Sequence, residues 1–245
     1  MKKRTWKDVA RMVLPWKVYW QLKRSREELR ARLSKDDLTS LAKIYKSDKW
    51  GFHSYTPVYE KWFAPYRHKS IRFLEIGVGG YDKPLLGGDS LRMWKKYFSK
   101  GVITGIDIHA KDSLVEDRIR IYKGDQYDAT FLISIAKREG PFDIIIDDGS
   151  HIQSHIIKSF ETLFPLMSPG GIYVIEDTQT SYWPKYGGSF DEMYTVNSAM
   201  NYFSRLTHEV NKVEWGKEAK KDDAHHLGIS SIAFYHNLIF IEKSH

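Results

Sequence analysis

The sequence predicts an α/β fold: a mostly parallel, doubly wound, Rossmann-like sheet closed by an antiparallel terminal hairpin and preceded by a helical arm. Three observations carry this. Short continuous apolar runs alternate with helix-period segments, the pattern of strands buried on both faces. Two of these runs end in paired carboxylates, in FDIIIDD and GIYVIED. The last two runs, Ile229 to Tyr235 and Leu238 to Glu242, are separated only by His236-Asn237, a tight hairpin turn.

The length of 245 residues suffices for one large α/β domain or a smaller domain with an appendage. Residues 1–47 read as a basic helical arm and 48–245 as the main domain. Residues 1–35 hold twelve Lys/Arg against Asp8, Glu27 and Glu28, a net of +9, so the remainder carries −2 of the total +7. The basic character therefore belongs to the arm, and no nucleic-acid partner is expected of the main domain. The absence of cysteine excludes a disulfide framework, thiolate zinc and a Cys nucleophile, and fits a reducing compartment. No apolar run approaches the roughly 20 residues of a membrane span, and no signal-peptide core is present.

In chain order, Trp6, Val9, Ala10, Val13 and Leu14 lie at helical spacing within residues 5–24, with Pro15 kinking or ending the run. Such a basic amphipathic helix suits a membrane interface, a second subunit or its own domain. A second helical pattern spans Asp36 to Ser47. The stretch from Asp48 to Tyr59, dense in aromatics and turn formers, reads either as a loop over a pocket or as a packed connector. Ile71 to Ile76 is a strand broken by one carboxylate, followed by Gly77-Val78-Gly79-Gly80, a polar insertion from Tyr81 to Gly88, and a helix from Ser90 to Ser99 capped by Asp89. Glycines after a strand permit close approach to dinucleotides, phosphates or S-adenosylmethionine alike. Val102 to Ile106 is the next strand, with Asp107 at its end, where an acid commonly accepts ribose hydroxyls. Ile119 to Tyr122 leads into Gly124-Asp125-Gln126, and a helix follows from Thr130 to Arg138.

Phe142 to Asp177 then reads as strand, helix, Pro-Gly-Gly turn and strand. Asp148 and Glu176 are 28 positions apart, enough for one crossover to bring both strand ends side by side. Two adjacent carboxylate pairs make a site for a hard cation. His151, three residues after Asp148, opens the intervening helix as a candidate proton acceptor or a simple helix cap. His151 and His155 share an i, i+4 spacing, but the glutamate of a zinc hydrolase motif is missing between them. Tyr182, Trp183 and Tyr186 suit stacking on a sugar or anchoring a loop, with Gly187-Gly188 as a hinge. A helix from Phe190 to Val210 and an exposed loop over 211–228 complete the chain.

The segments DKWGFHSYTPVYEKWF, FLEIGVGG, SLRMWKKYF, GIDI, GDQYD, IDDGSH and YVIEDTQTSYW together resemble the class I S-adenosylmethionine-dependent methyltransferases. Among these, the chain is similar to the sugar O-methyltransferases of the macrolide-tailoring (mycinamicin and macrocin) and rhamnosyl kinds. The resemblance implies a seven-stranded sheet with a reversed last hairpin. It implies that Glu75, Gly77 and Gly79 shape the methionine end of the cofactor site, that Asp107 takes the ribose, and that Asp125 and Gln126 lie near the adenine. Tyr59, Ser90 and Asp147 are counted with the cofactor residues. Asp148, Glu176 and Asp177 fall on the family's Mg²⁺ ligands and His151 on its general base, so His151 and Asp148 are the expected catalytic pair. Tyr182 and Trp183 are the expected substrate residues. The large N-terminal auxiliary domain of the macrolide enzymes is not matched, and the Tyr81 to Gly88 insertion is this chain's own.

The expected function is Mg²⁺-dependent, S-adenosylmethionine-dependent O-methylation of a sugar hydroxyl on a glycosylated natural product, glycolipid or glycan. A catechol or phenolic acceptor is the alternative within the class; a dinucleotide oxidoreductase or inactive binding module is the alternative outside it, although GVGG lacks the full dinucleotide spacing. The expected partners are a small-molecule or lipid-linked glycosyl acceptor, an anionic membrane touched through residues 1–35, and a second copy of the chain. The expected location is the cytoplasm, peripheral at the inner face of the membrane.

Overall fold

The computed structural model describes residues 15–34, 37–215 and 227–245. Residues 5–14 of the first expected helix lie outside them. The chain divides into two compact units, Met1–Ala64 and Pro65–His245.

In the first unit, helix α1 (Trp16–Arg32) begins immediately after Pro15, whose fixed φ suits a helix start. It runs beyond the expected end at residue 24, because Lys, Arg, Glu and Leu sustain a helix there. Helix α2 (Leu38–Tyr45) is capped by Asp37, whose carboxylate accepts from Ser40 N–H at 2.8 Å. Helix α3 (Thr56–Phe63) has Pro57 in its first turn, so the aromatic stretch expected as loop or connector turns helical from Thr56 onward. Tyr59 and Phe63 within it and Tyr55 at its cap are buried, and Glu60 accepts from Leu38 N–H at 2.9 Å, tying α3 to α2.

The second unit is the seven-stranded sheet. Its strands are β1 (Arg72–Ile76), β2 (Val102–Asp107), β3 (Ile119–Lys123), β4 (Ile144–Asp147), β5 (Ile172–Glu176), β6 (Ile229–Tyr235) and β7 (Leu238–Lys243). Their spatial order is β3-β2-β1-β4-β5-β7-β6, with β1 to β5 parallel and β7 antiparallel to both β5 and β6. Asn237, at φ +61, makes the β6–β7 turn. Helices α4 (Asp89–Tyr97), α5 (Ala129–Glu139), α6 (Gln153–Leu163) and α7 (Ala199–Arg205) complete the unit. Ile145, Tyr173 and Ile241 from the sheet pack with Leu132, Phe160 and Phe203 from the helices in one buried cluster.

Three local expectations change. Gly88, not Asp89, occupies the cap position of α4, and the Asp89 carboxylate instead pairs with Arg92 one turn on. Helix α7 is much shorter than residues 190–210; turns precede it and a 3-10 segment, Leu206–Glu214, follows. The start of α6 falls at Gln153, so His151 stands in the turn before the helix rather than in it.

The order of strand addition reverses between the parallel neighbours β1 and β4: β2 and β3 extend to one side, β4 and β5 to the other. In open α/β sheets the crevice at this switch point, beyond the carboxyl ends of the strands, is where ligands bind.

Candidate active site

The turn after β1 is built into that crevice. Gly77 donates to Ile106 O at 2.8 Å and holds φ +92; a Cβ there would lie 2.1 Å from Asp148 O. Only glycine lets the β1 turn and the β4 end meet backbone to backbone. Gly79 continues the turn at φ +76. Val78 N–H donates to Asp107 Oδ2 at 3.0 Å and His109 N–H to Asp107 Oδ1 at 2.8 Å. Each oxygen retains a second lone pair, so Asp107 braces the turn and keeps capacity for ribose hydroxyls. Glu75 is fully buried and accepts from Ser90 Oγ at 2.8 Å and Trp94 Nε1 at 3.3 Å, fastening the start of α4 to β1.

The residues expected at the adenine end split into two roles. Asp125 is exposed and closes its own turn by accepting from Tyr127 N–H at 2.8 Å. Gln126 is buried; its Nε2 donates to Asp147 Oδ1 at 3.1 Å while its Oε1 accepts from Ser150 N–H at 2.6 Å. Asp147 is buried as well and accepts from Ser159 Oγ. Removal from water raises its pKa to about 6, against the lowering effects of Ser159, His151 and Gln126. Gln126 and Asp147 thus form an internal strut between the β3 and β4 ends. Tyr59 belongs to the first unit, buried with its ring 5.0 Å from that of Phe63.

At the β4 and β5 ends the acidic side chains converge in two overlapping groups. Asp148, His151 and Asp177 each offer a ligand atom within 4.8 Å of the others, and so do Glu75, Asp148 and Glu176. Asp148 is common to both. Carboxylates packed this closely, with Glu75 and Glu176 buried, repel one another unless a cation or protons intervene. An oxygen-rich set of this kind fits a hard divalent cation such as Mg²⁺.

His151 completes the corner. Its Nε2 is 3.7 Å from Asp177 Oδ2, and its ring meets Tyr186 edge-on at 6.4 Å. Both His151 and Asp177 hold left-handed backbone, φ +59 and φ +52. His155 turns elsewhere, its Nδ1 3.0 Å from Ser150 Oγ and its ring stacked on Tyr127 at 4.7 Å. Tyr182 and Trp183 follow on the 3-10 segment Thr178–Tyr182 and its end; Trp183 is about half exposed, and its ring lies 6.0 Å from Tyr186.

Residues 86–178 match the family model described as a methyltransferase domain. The 8-demethyl-8-alpha-L-rhamnosyl tetracenomycin-C 2'-O-methyltransferase of Streptomyces olivaceus is 44% identical over 210 residues, 84% of this chain and 54% of that protein. The mycinamicin VI 2''-O-methyltransferase of Micromonospora griseorubida is 46% identical over 211 residues, 85% of this chain and 53% of that protein. A solved structure of the MycE methyltransferase from the mycinamycin biosynthetic pathway, in complex with Mg and SAH, matches at a TM-score of 0.82 and 45% identity, covering 86% of this chain and 54% of that one. The chain has the class I methyltransferase fold. It spans about half the length of the curated relatives it matches.

The sequence reading missed one role and one residue. Glu75, expected only at the methionine end of the cofactor site, joins the carboxylate cluster as well as bracing α4; the available signal was a charge inside an otherwise apolar strand, one position before its end. Gln153 is buried and makes four hydrogen bonds: Nε2 donates to His151 O and Thr180 Oγ1, both at 3.1 Å, and Oε1 accepts from Ser181 Oγ at 2.9 Å and Ala199 N–H at 2.7 Å. Thr180 Oγ1 in turn donates to Asp177 O at 2.8 Å. One amide therefore links the His151 turn to the Asp177 turn, through partners too distant in sequence to signal it.

Proposed function

We propose that this chain is an S-adenosylmethionine-dependent, Mg²⁺-dependent O-methyltransferase that acts on a sugar hydroxyl of a glycosylated natural product, glycolipid or glycan. The observation that carries it is Asp148, beside the Gly77 turn, shared by two groups of ligand atoms, one with Glu75 and Glu176 and the other with His151 and Asp177. The similarity to enzymes named for 2'- and 2''-O-methylation of glycosylated compounds supports the substrate class.

Asp148, Glu176 and Asp177 hold the cation, which when bound makes a sugar hydroxyl easier to ionise. Glu75, Gly77, Gly79, Ser90, Asp107, Asp125, Gln126 and Asp147 build or brace the cofactor pocket; the bound cofactor supplies an electrophilic methyl group. His151 Nε2, 3.7 Å from Asp177 Oδ2, accepts the proton of the acceptor hydroxyl. Tyr182 and Trp183 offer faces for the sugar ring. Residues 48–245 form the methyltransferase domain and 1–47 the arm. The deciding experiment is an acceptor panel of rhamnosyl, other deoxyhexosyl and phenolic glycosides scored by mass gain of one methyl group, with and without EDTA. Transfer to sugar hydroxyls that EDTA abolishes is expected; full activity in EDTA, or methylation of phenols alone, overturns it.

The arm gives the second part of the proposal, peripheral contact with an anionic membrane. Val18, Leu22, Leu29 and Leu33 are exposed and recur along one side of α1 and its cap, while Glu27 is buried and Glu28 accepts from Tyr45 OH. Exposed Arg26, Arg30 and Arg32 accompany the stripe. Apolar insertion with arginines beside it suits an anionic lipid surface. Among the described residues no helix is long and apolar enough to cross a membrane. Co-sedimentation of the full chain with phosphatidylserine vesicles, lost in a Leu22→Glu, Leu29→Glu variant that still turns over soluble acceptors, is the expected result. No co-sedimentation of the parent assigns the stripe to subunit contact or packing instead.

A further inference from the structure

We propose that Lys111 is a positioning residue for the cofactor turn: its ammonium holds the 81–88 loop down on Val78, Gly79 and Gly80, and so sets the affinity of the pocket. This rests on the proposal that the turn receives S-adenosylmethionine.

Lys111 is 1% exposed, and its Nζ donates to Tyr81 O at 2.7 Å, Lys83 O at 2.9 Å and Leu86 O at 3.1 Å. An ammonium has three hydrogens, and here each finds a carbonyl of one short loop. Ser113 Oγ donates to Pro84 O of the same loop. The loop in turn lies on the glycine turn. Gly88 N–H donates to Val78 O at 2.8 Å, and a Cβ on Gly80 would fall 2.2 Å from Leu86 O. Tyr81 is held at φ +48, a conformation a tyrosine adopts only under constraint. The end of β2 and the segment after it therefore grip residues 78–88, with Asp107 on Val78 N–H and Lys111 and Ser113 on the carbonyls beyond.

The chemistry makes this grip specific to a cation. Tyr81, Lys83 and Leu86 present carbonyl oxygens to one point, where a neutral apolar side chain takes the ammonium donor from all three and leaves Lys83 O with Leu86 N–H at 3.1 Å. Burying an ammonium costs solvation, which these carbonyls offset only while the loop is closed. Loop closure and the lysine are thus coupled, and the wall of the pocket is set by a residue that need not touch the cofactor.

The experiment is calorimetric titration of S-adenosylhomocysteine into the full chain and its Lys111→Met variant, with hydrogen exchange followed over residues 80–88. Affinity is expected to fall by about 10- to 100-fold, the usual range for groups that orient a binding group, with faster exchange at Leu86 and Gly88. At saturating cofactor, kcat stays within about twofold of the parent, the pattern of a lost binding contribution. A primary alkylammonium added to Lys111→Ala restores part of the affinity. If Lys111→Met fails to fold, Gly80→Ala displaces the loop from its other side and weakens binding in the same way. Unchanged affinity, or unchanged exchange, in the folded variants overturns the proposal. A parent chain that binds no S-adenosylhomocysteine instead overturns the assignment of the turn itself, and this proposal with it.

Discussion

His151 Nε2 stands 3.7 Å from Asp177 Oδ2, and the two residues share a left-handed backbone, uncommon outside glycine although Asp and His adopt it more readily than most side chains. Strain of this kind persists where surrounding contacts fix it, and here Gln153 supplies them, through His151 O on one turn and through Thr180 on the other. The pairing places an imidazole beside a carboxylate that also belongs to the cation cluster.

The first prediction concerns the proton. His151→Ala removes the acceptor while leaving the β4 and β5 carboxylates in place. The expected loss is about 10²- to 10⁴-fold in kcat, with S-adenosylhomocysteine affinity unchanged by calorimetry. A variant that keeps near-full rate on a sugar acceptor denies His151 its role.

Asp148 permits a sharper test of the cation site, because it belongs to both carboxylate groups. Asp148→Asn removes one charge from a crowded set, so the metal-free chain should become more stable by about 0.5–2 kcal/mol, while Mg²⁺ binding and turnover are lost. Stability gained with function lost marks a site held against its own repulsion. Denaturant melts in EDTA and in Mg²⁺ check both halves; a destabilised metal-free variant contradicts the repulsion argument. Glu75→Gln should behave differently. Its amide nitrogen faces either the Ser90 or the Trp94 donor, so the fold itself should lose about 1–3 kcal/mol.

The sheet and the acidic strand ends were legible because local chemistry writes them plainly. Buried parallel strands are uninterrupted apolar runs, and IIIDD and YVIED mark where those runs reach solvent at the ligand end. Strand pairing then places Asp148 and Glu176 together with no further information. The His151 turn was harder to read, since its left-handed φ and the helix start at Gln153 depend on contacts with residues 180, 181 and 199. The long helix expected over 190–210 failed for a related reason: Ser198 caps a new helix by accepting from Asn201 N–H, and residues 190–197 turn back before it. Gln126 shows the limit of motif reading. Its position beside the expected adenine site was visible, but not that both ends of its amide are engaged by Asp147 and Ser150.

Gln153 should be as sensitive as the residues it positions. Gln153→Ala leaves Ser181, Thr180, Ala199 N–H and His151 O without their buried partner, and the expected cost is about 2–3 kcal/mol in stability. Beyond stability, kcat should fall while cofactor affinity is retained, since the cofactor turn lies on the other side of β4. Equal loss of both, in a variant shown to be folded, would mean that the amide only supports the fold.

Asp147 ties stability to pH. Burial raises its pKa from 3.8 to about 6, so the folded chain binds this proton more tightly than the unfolded chain does. The stability from that proton is fully present below pH 3.8 and is lost as the pH rises to about 6, above which the buried carboxylate is a constant penalty. A shift of about two pKa units corresponds to roughly 3 kcal/mol. Asp147→Asn keeps the shape and the acceptor for Gln126 Nε2, while Ser159 can accept from the new amide and still donate to His155 O or Ile156 O. In EDTA, the variant should therefore match the parent near pH 4 and exceed it above pH 6. Because other carboxylates titrate alike in both chains, the difference between their denaturant midpoints isolates this group. A difference that does not grow between pH 4 and 6 would place the proton elsewhere in the strut.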